Sequence, residues 1–453
     1  MGKNIFEIID FILLLCVLIL VTIGIMFIYS AGINSEGALV TNEYIKQLIW
    51  GSIGLVIMMI FAFTDYRRIE RFSPYLYGAL LLVLIYTRLF GRYVNGAKSW
   101  IGIGDYGIQP SEFGKIVFTI FLAHYLNISE NEYPLKRLII SGIIFAVPTG
   151  LILLQPDLGT ASVYIPIFFF MCFMAGIPVT YLLFLIGILA STILFTVLPV
   201  WNEFIMHNSV SAINVFGNFK LKLLLILSTS FVCFLGLIVR RYFHGKKYFL
   251  WISYVFAIIA IGLVFSVAAG KVLKEYQIQR LIIFMDPSVD PLGSGWNIIQ
   301  SKIAIGSGGV FGRSFLHGTQ SHYRFLPQQS TDFIFSILSE ELGFIGGIAV
   351  FAVYFIIILR NLFIIKGSSN KFGVYIASGI LGMLLIHFFI NIGMVMGLMP
   401  ITGIPLLFLS YGGSSLLTAM MCIGLLMSIN FRKYEFAVYD NGGGGGNSIT
   451  KLR

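Results

Sequence analysis

Charge is what this chain has least of: 11% of its 453 residues are Asp, Glu, Lys or Arg, where a soluble domain carries about 25%. With 58% of the residues hydrophobic, too little polar material remains to cover a water-facing surface. Cysteine is scarce as well. Cys16, Cys172, Cys233 and Cys422 all lie inside apolar runs without CxxC spacing, so neither a disulfide framework nor a thiolate metal site is expected. The histidines show no metal-ligand spacing, and only His317 and His322, on a polar segment, are kept as contact candidates. No small-residue cleavage site follows the first apolar run, which is therefore expected to be a transmembrane helix and not a removable signal. The net charge of +10 has no soluble basic face to sit on, so a nucleic-acid partner is not expected. The basic excess fits loops held against anionic lipid.

What the chain does have is apolar runs, and a bilayer core needs about 20 apolar residues per helix. They fall at 11–31, 46–64, 74–90, 112–127, 138–155, 158–176, 180–200, 221–239, 248–269, 332–359, 373–398 and 403–430. The expected fold is an all-α polytopic transmembrane bundle of about twelve spans. Placing the N-terminus in the cytoplasm puts Arg67, Arg68 and Arg71, Lys136 and Arg137, Arg240, Arg241, Lys246 and Lys247, Arg360, Lys366 and Lys371, and Arg432 and Lys433 inside. That is the pattern of the positive-inside rule, and it leaves both termini cytoplasmic. Lys220 and Lys222 fall outside and run against it. Two outward segments, 91–111 and 270–331, are long and mix aromatic, charged and Gly-Pro elements. Loops of that length are uncommon unless functional, so both are expected to be ordered surface. The tail 440–453, with five consecutive glycines, reads as a disordered cytoplasmic end.

Chemistry concentrates in a few places. The second long segment contains DPSVDPLGSG, in which Asp286 and Asp290 each precede a proline. Such pairs serve equally well as turn starters or as ligand carboxylates. Glu112 and Lys115 open the fourth span three residues apart, on one helical face. A self-neutralising ion pair is the simpler reading, although intramembrane charge is by default a functional pointer. Asp332, Ser336 and Glu340 step by four along the tenth span, with Glu341 beside them. That stripe must avoid lipid, and helix packing, cavity lining and a proton path all remain open for it. Asp157, in LLQPDLGT, is expected to cap the sixth helix.

The stretches NGAKSWIGIGDYGIQPSEFGKI, LLQPDLGT, DPSVDPLGSGWNIIQSKIAIGSGG, LHGTQS, FLPQQSTDFIFSILSEELG and NIGMVMGLMPITGIPLLFLSYGGSS resemble, in order, the shape, elongation, division and sporulation (RodA/FtsW) family of bacterial inner-membrane proteins. HGTQS and SKIAIGSGG are closer to its elongation branch. The resemblance implies a peptidoglycan glycosyltransferase that polymerises lipid II on the outer face of the cytoplasmic membrane. It also implies work alongside a class B penicillin-binding transpeptidase and other membrane proteins of the elongation complex. By the same resemblance, Asp290 matches the essential outer-loop carboxylate, Trp100 the tryptophan of the first outer loop, and Glu112 and Lys115 the charged pair of PSExxK. Lys98, Arg280 and Gln320, the last within HGTQS, join them as expected substrate-binding residues.

There are departures from the family pattern. Lys98-Ser99 stands where Arg usually precedes the tryptophan, and Gln328, Gln329 and Ser330 replace a usual Glu-x-His. Trp296 replaces a usual Tyr, and Arg313-Ser314 interrupts a usual Gly-x-Gly. The family has about ten spans, so the excess here is assigned to an inserted helical pair at 205–268 within a domain running 1–439. The expected chemistry is attack of a sugar hydroxyl on an anomeric carbon, with Asp290 as general base. Lys98, Lys115 and Arg280 would stand against the departing pyrophosphate; Trp100 and Tyr106 suit either a sugar face or the interfacial aromatic belt, and the belt is the expectation for Tyr106. A divalent cation, magnesium or manganese, is compatible with this chemistry, but no residue names its ligands. The alternatives are a lipid II flippase, for which ionisable groups near the bilayer midplane would argue, and a non-catalytic scaffold for the transpeptidase.

Overall fold

The computed structural model describes residues 9–94, 96–103, 106–204, 211–242, 247–272, 280, 282–290 and 293–442. The end of the glycine-rich tail, 443–453, and Pro291 after Asp290 lie outside them. The chain forms α1 (Phe11–Ala31), α2 (Glu43–Phe63) and α3 (Tyr66–Phe90), then the strands β1 (Arg92–Val94), β2 (Ala97–Ile103) and β3 (Tyr106–Ile108). There follow α4 (Pro110–Ile128), α5 (Pro134–Leu154), α6 (Leu158–Met174), α7 (Val179–Phe204), α8 (Ser211–Gly217), α9 (Phe219–Tyr242) and α10 (Lys247–Val272). After a 3-10 turn at Pro287–Val289 come α11 (Ser294–Gly308), the short α12 (Thr319–His322), α13 (Ile334–Gly367), α14 (Lys371–Val395) and α15 (Gly413–Gly442).

Among the described residues, 10 helices are long and apolar enough to cross a membrane. The expected twelve included two that fall short of that measure. The helix α6 has 17 residues, and α4 is diluted by Glu112, Lys115, His124 and Asn127. The helical class holds, and three details within it are corrected. The all-α reading missed a three-stranded antiparallel sheet, β1-β2-β3, in the first long segment. The second long segment is not loop throughout, since α11 lies inside it. The last helix starts at Gly413 and not near 403, because Gly403 and Phe408 take positive φ and Pro405 lacks an amide to donate.

The chain divides into two compact units, Met1–Ile177 with Gln300–Met396 and Thr402–Arg453, and Pro178–Ile299 with Gly397–Ile401. In the first, helices approach closely at small residues. A Cβ at Gly54 would lie 2.9 Å from Met420, and one at Gly382 would lie 2.8 Å from the Pro166 carbonyl. Such residues let helix backbones meet where no hydrophobic force separates protein from lipid tail. In the second, α7, α9 and α10 are joined by hydroxyls: Ser191 donates to the Ile258 carbonyl at 3.2 Å, Ser253 to Cys233 at 3.1 Å and Tyr254 to Thr180 at 2.7 Å. The stretch 205–268, where an inserted helical pair was expected, contains α8, α9 and most of α10.

Candidate functional site

The start of α4 brings the expected charged pair together. Pro110 occupies the first turn, where its missing amide costs nothing, and Glu112 follows at the positive end of the helix dipole. One turn on, Lys115 Nζ donates to Glu112 Oε1 at 2.7 Å, with the lysine 1% and the glutamate 5% exposed. A third member was missed: His387 of α14, whose Nε2 lies 3.1 Å from Lys115 Nζ. The other ring nitrogen, Nδ1, lies 2.9 Å from the Pro405 carbonyl. Glu112 Oε2 and Ser111 Oγ, beside this knot, are buried and make no hydrogen bond.

The second cluster lies where α13 begins. Asp332 precedes that helix, so the expected stripe loses its first member, and Glu340 and Glu341, both fully buried, carry the chemistry. Glu340 Oε1 accepts from the Thr319 amide at 2.7 Å, the Thr319 hydroxyl at 3.0 Å and the Gln320 amide at 2.9 Å. Glu341 accepts from the Leu316 amide at 3.0 Å and from the hydroxyl of Ser30 on α1. His322 Nε2 is 3.9 Å from Glu341 Oε1. Gln320 therefore meets Glu340 through its backbone, and its side-chain oxygen is buried without a partner. The connection is reinforced by backbone bonds from Arg313 to Glu340 and from Ser314 to Glu341, 3.0 Å each. Gly343, at φ 65 and ψ -161, lets α13 kink against Gly312.

Lys98 and Trp100 share β2, opposite Tyr93 and Arg92 of β1. Lys98 Nζ donates to the Leu89 carbonyl at 2.7 Å, placing its charge at the C-terminal end of α3, where a helix favours a cation. The Trp100 ring rests on Gly107, where a Cβ would come within 2.8 Å of it. Behind the sheet, Asp157 caps α6 as expected, accepting from the Thr160 amide at 3.0 Å. It also takes a 2.7 Å bond from Gln109 Nε2, a residue the sequence did not single out.

Asp290 and Arg280 belong to the second unit, the other expected site residues to the first. Asp290 Oδ1 accepts from the Gly293 amide at 3.0 Å, and the Asp290 carbonyl from the Gly295 amide at 3.1 Å. The aspartate thus shapes the turn into α11, the bland half of its sequence reading. Gly293 is needed there, since any Cβ would strike the Asp290 carboxylate. Among the described residues, no group of three or more His, Cys, Asp or Glu side chains is placed to hold a metal ion.

The pattern of the FtsW, RodA and SpoVE family, described as cell cycle protein, matches residues 10–208 and 219–435. A peptidoglycan glycosyltransferase RodA of Treponema pallidum is 52% identical over 94% of this chain and 98% of its own. The peptidoglycan glycosyltransferase MrdB of Escherichia coli K12 is 33% identical over 92% of each chain. The stage V sporulation protein E of Bacillus subtilis is 33% identical over 93% of this chain and 96% of its own. Among solved structures, a chain from a peptidoglycan synthase complex that coordinates polymerization and crosslinking superposes with TM-score 0.64 at 25% identity, covering 94% of this chain and 98% of that one. Thermus thermophilus RodA shares the fold, with TM-score 0.57 at 22% identity over 94% and 97% of the two chains.

Proposed function

The chain belongs to the FtsW, RodA and SpoVE family of cell cycle proteins and is a multi-pass membrane peptidoglycan glycosyltransferase; we propose that it joins lipid II units into glycan strands for cell elongation, with Asp290 as general base. The observation that carries this reading is the 52% identity to a protein named for that activity, running over 94% of the chain. The charge asymmetry of the loops supports cytoplasmic termini and a reaction on the outer face. A class B penicillin-binding transpeptidase is the partner we assign, on the strength of the related chain that sits in a peptidoglycan synthase complex.

In the proposed reaction the Asp290 carboxylate takes the proton of the attacking sugar hydroxyl, a contribution of typically about 10²–10⁴-fold. The hydroxyl oxygen bonds to the anomeric carbon as the bond to the lipid pyrophosphate breaks, inverting the centre without a covalent enzyme intermediate. Charge grows on the pyrophosphate, and Arg280, Lys98 and Lys115 are the cations assigned to it. Trp100, held flat against Gly107, offers a ring face to a sugar. Among the described residues the carboxylates do not gather into a metal site. The test is to supply lipid II to the protein purified with its transpeptidase. Wild type should form long glycan and Asp290→Ala none, with the variant still folded and inserted. Normal polymer from Asp290→Ala would remove Asp290 from the mechanism, and lipid II translocation without any wild-type polymer would favour a transporter.

A further inference from the structure

We propose that His387 is a positioning residue for the glycosyltransferase reaction, fixing the Lys115 ammonium against Glu112 so that its charge is held at one point. The inference rests on the assignment of Lys115 to the reaction.

The hydrogen bonds dictate the histidine's state. The Pro405 carbonyl, 2.9 Å from Nδ1, can only accept, so Nδ1 carries the hydrogen. Nε2 then presents a lone pair, and it faces Lys115 Nζ at 3.1 Å. The ring is neutral and serves as an acceptor. Glu112 and His387 thus take two of the three N–H groups of the ammonium, from two different helices. A flexible lysine held this way loses its rotamer freedom before the reaction and not during it, which is how preorganised charge gains its catalytic effect.

The anchor of the ring is itself fastened. Pro405 follows Ile404, whose carbonyl accepts from Asn391 Nδ2 at 2.8 Å, one turn along α14 from His387. Asn391 also donates to the Asp332 carbonyl at 2.9 Å, tying α14 to the start of α13. Among the described residues, the other titratable groups facing the knot are Tyr164, whose hydroxyl donates to the Ser111 carbonyl at 2.9 Å, and Cys422 on α15. Neither takes a hydrogen bond from Lys115 in place of His387. The unpartnered Glu112 Oε2 and Ser111 Oγ mark the same spot as one where polar atoms outnumber their protein partners. Buried groups in that condition call for a polar ligand or water.

The test compares His387→Leu, His387→Gln, Lys115→Met and the double variant His387→Leu/Lys115→Met, each purified with the transpeptidase and supplied with lipid II. Leucine removes both ring bonds; glutamine restores an oxygen acceptor towards Lys115. His387→Leu should lower kcat roughly tenfold or more with KM changed less than about twofold, since the interaction acts on the transition state. His387→Gln should recover most of that loss. Against Lys115→Met, His387→Leu should add no further loss, because two residues acting as a unit are not additive. Normal kcat in His387→Leu beside an impaired Lys115→Met would overturn the inference. So would equal losses in His387→Leu and His387→Gln, or additive losses in the double variant, both of which describe a purely structural histidine. Full activity in Lys115→Met would instead remove the knot from the reaction, a failure of the reading beneath it.

Discussion

The two ends of the helices in the first unit are fastened differently. At the end where α1 begins, carboxylates meet cations, most of them from remote parts of the chain. Asp10 pairs with Arg360, Glu130 with Lys371, and Asp65 with Arg67 at 2.8 Å and Arg432 at 3.4 Å. At the end where α1 stops, Glu340 and Glu341 instead take their hydrogen bonds from amides and hydroxyls. The partly exposed pairs, Glu130–Lys371 and Asp65–Arg67, contribute little each and weaken with salt, while the Asp10 carboxylate is buried. Amides bonded to a buried carboxylate are charge-assisted and fix a particular backbone path. One end is thus fastened by side-chain ion pairs, the other by a loop whose trace is specified.

Gly343→Ala strikes the specified end hardest. A Cβ there would strike the Gly312 amide and lie 2.6 Å from the Val310 carbonyl, at a φ of 65 that only glycine adopts cheaply with ψ -161. The expected loss exceeds about 3 kcal/mol, read as a lower Tm in detergent with new protease cleavage between 312 and 324. Glu340→Ala strands two amides and a hydroxyl and should cost about 2–4 kcal/mol with the same cleavage; Glu340→Gln, which keeps an acceptor, should recover most of it. Arg360→Ala leaves Asp10, whose side chain is 1% exposed, with Asn430 as its remaining cross-helix donor among the described residues, at 2.9 Å. Because the arginine is 29% exposed, about 2 kcal/mol is expected, below a fully buried pair, with the 312–324 segment still protected. Cleavage there in Arg360→Ala would show that the ends are coupled and break the comparison.

The smallest effect concerns pH. Burial pushes the Asp65 carboxyl up, but the hydrogen bonds of Arg67 and the charges of Arg67 and Arg432 outweigh it and hold the group below its ordinary value. A carboxyl depressed by folding stabilises above its unfolded pKa of about 3.9 and loses that contribution as pH falls through the folded value. Asp65→Asn should therefore lower Tm slightly at neutral pH and converge with wild type in acid. Equal Tm differences at pH 7 and pH 3 would contradict the assignment.

Helices were legible because each apolar run is long and punctuated by Pro, Gly or charge. The Asp157 cap and the Glu112–Lys115 pair were legible because i to i+3 spacing is local. The sheet was not, since Gly and charge at 91–111 mask the short alternation of AKSWIGI. Nor was His387: a test for metal spacing passes over a histidine whose partners, Lys115 and Pro405, are fixed only by the packing of α14. Glu340 and Glu341 drew notice as a stripe, yet their role depends on amides of 316–320, and backbone donors leave no mark in a sequence. Asp290 stood out through its motif, while its bond to Gly293 emerged only from the turn.

The tight embrace of α2 and α15 also constrains how the molecule is made. Gln47, fully buried on α2, finds its partners in the Ser410 carbonyl at 3.1 Å and the Gly412 amide at 3.3 Å. Ser428 and Arg432 of α15 close on the carbonyls of Thr64 and Phe63, at 2.7 and 2.9 Å. A ribosome delivers α2 hundreds of residues before these partners exist. A chain lacking the residues after α14 would leave Gln47 without either of these partners, and an unsatisfied polar group within a bilayer costs several kcal/mol. The final segment therefore completes the hydrogen bonding of a helix made near the start of the chain.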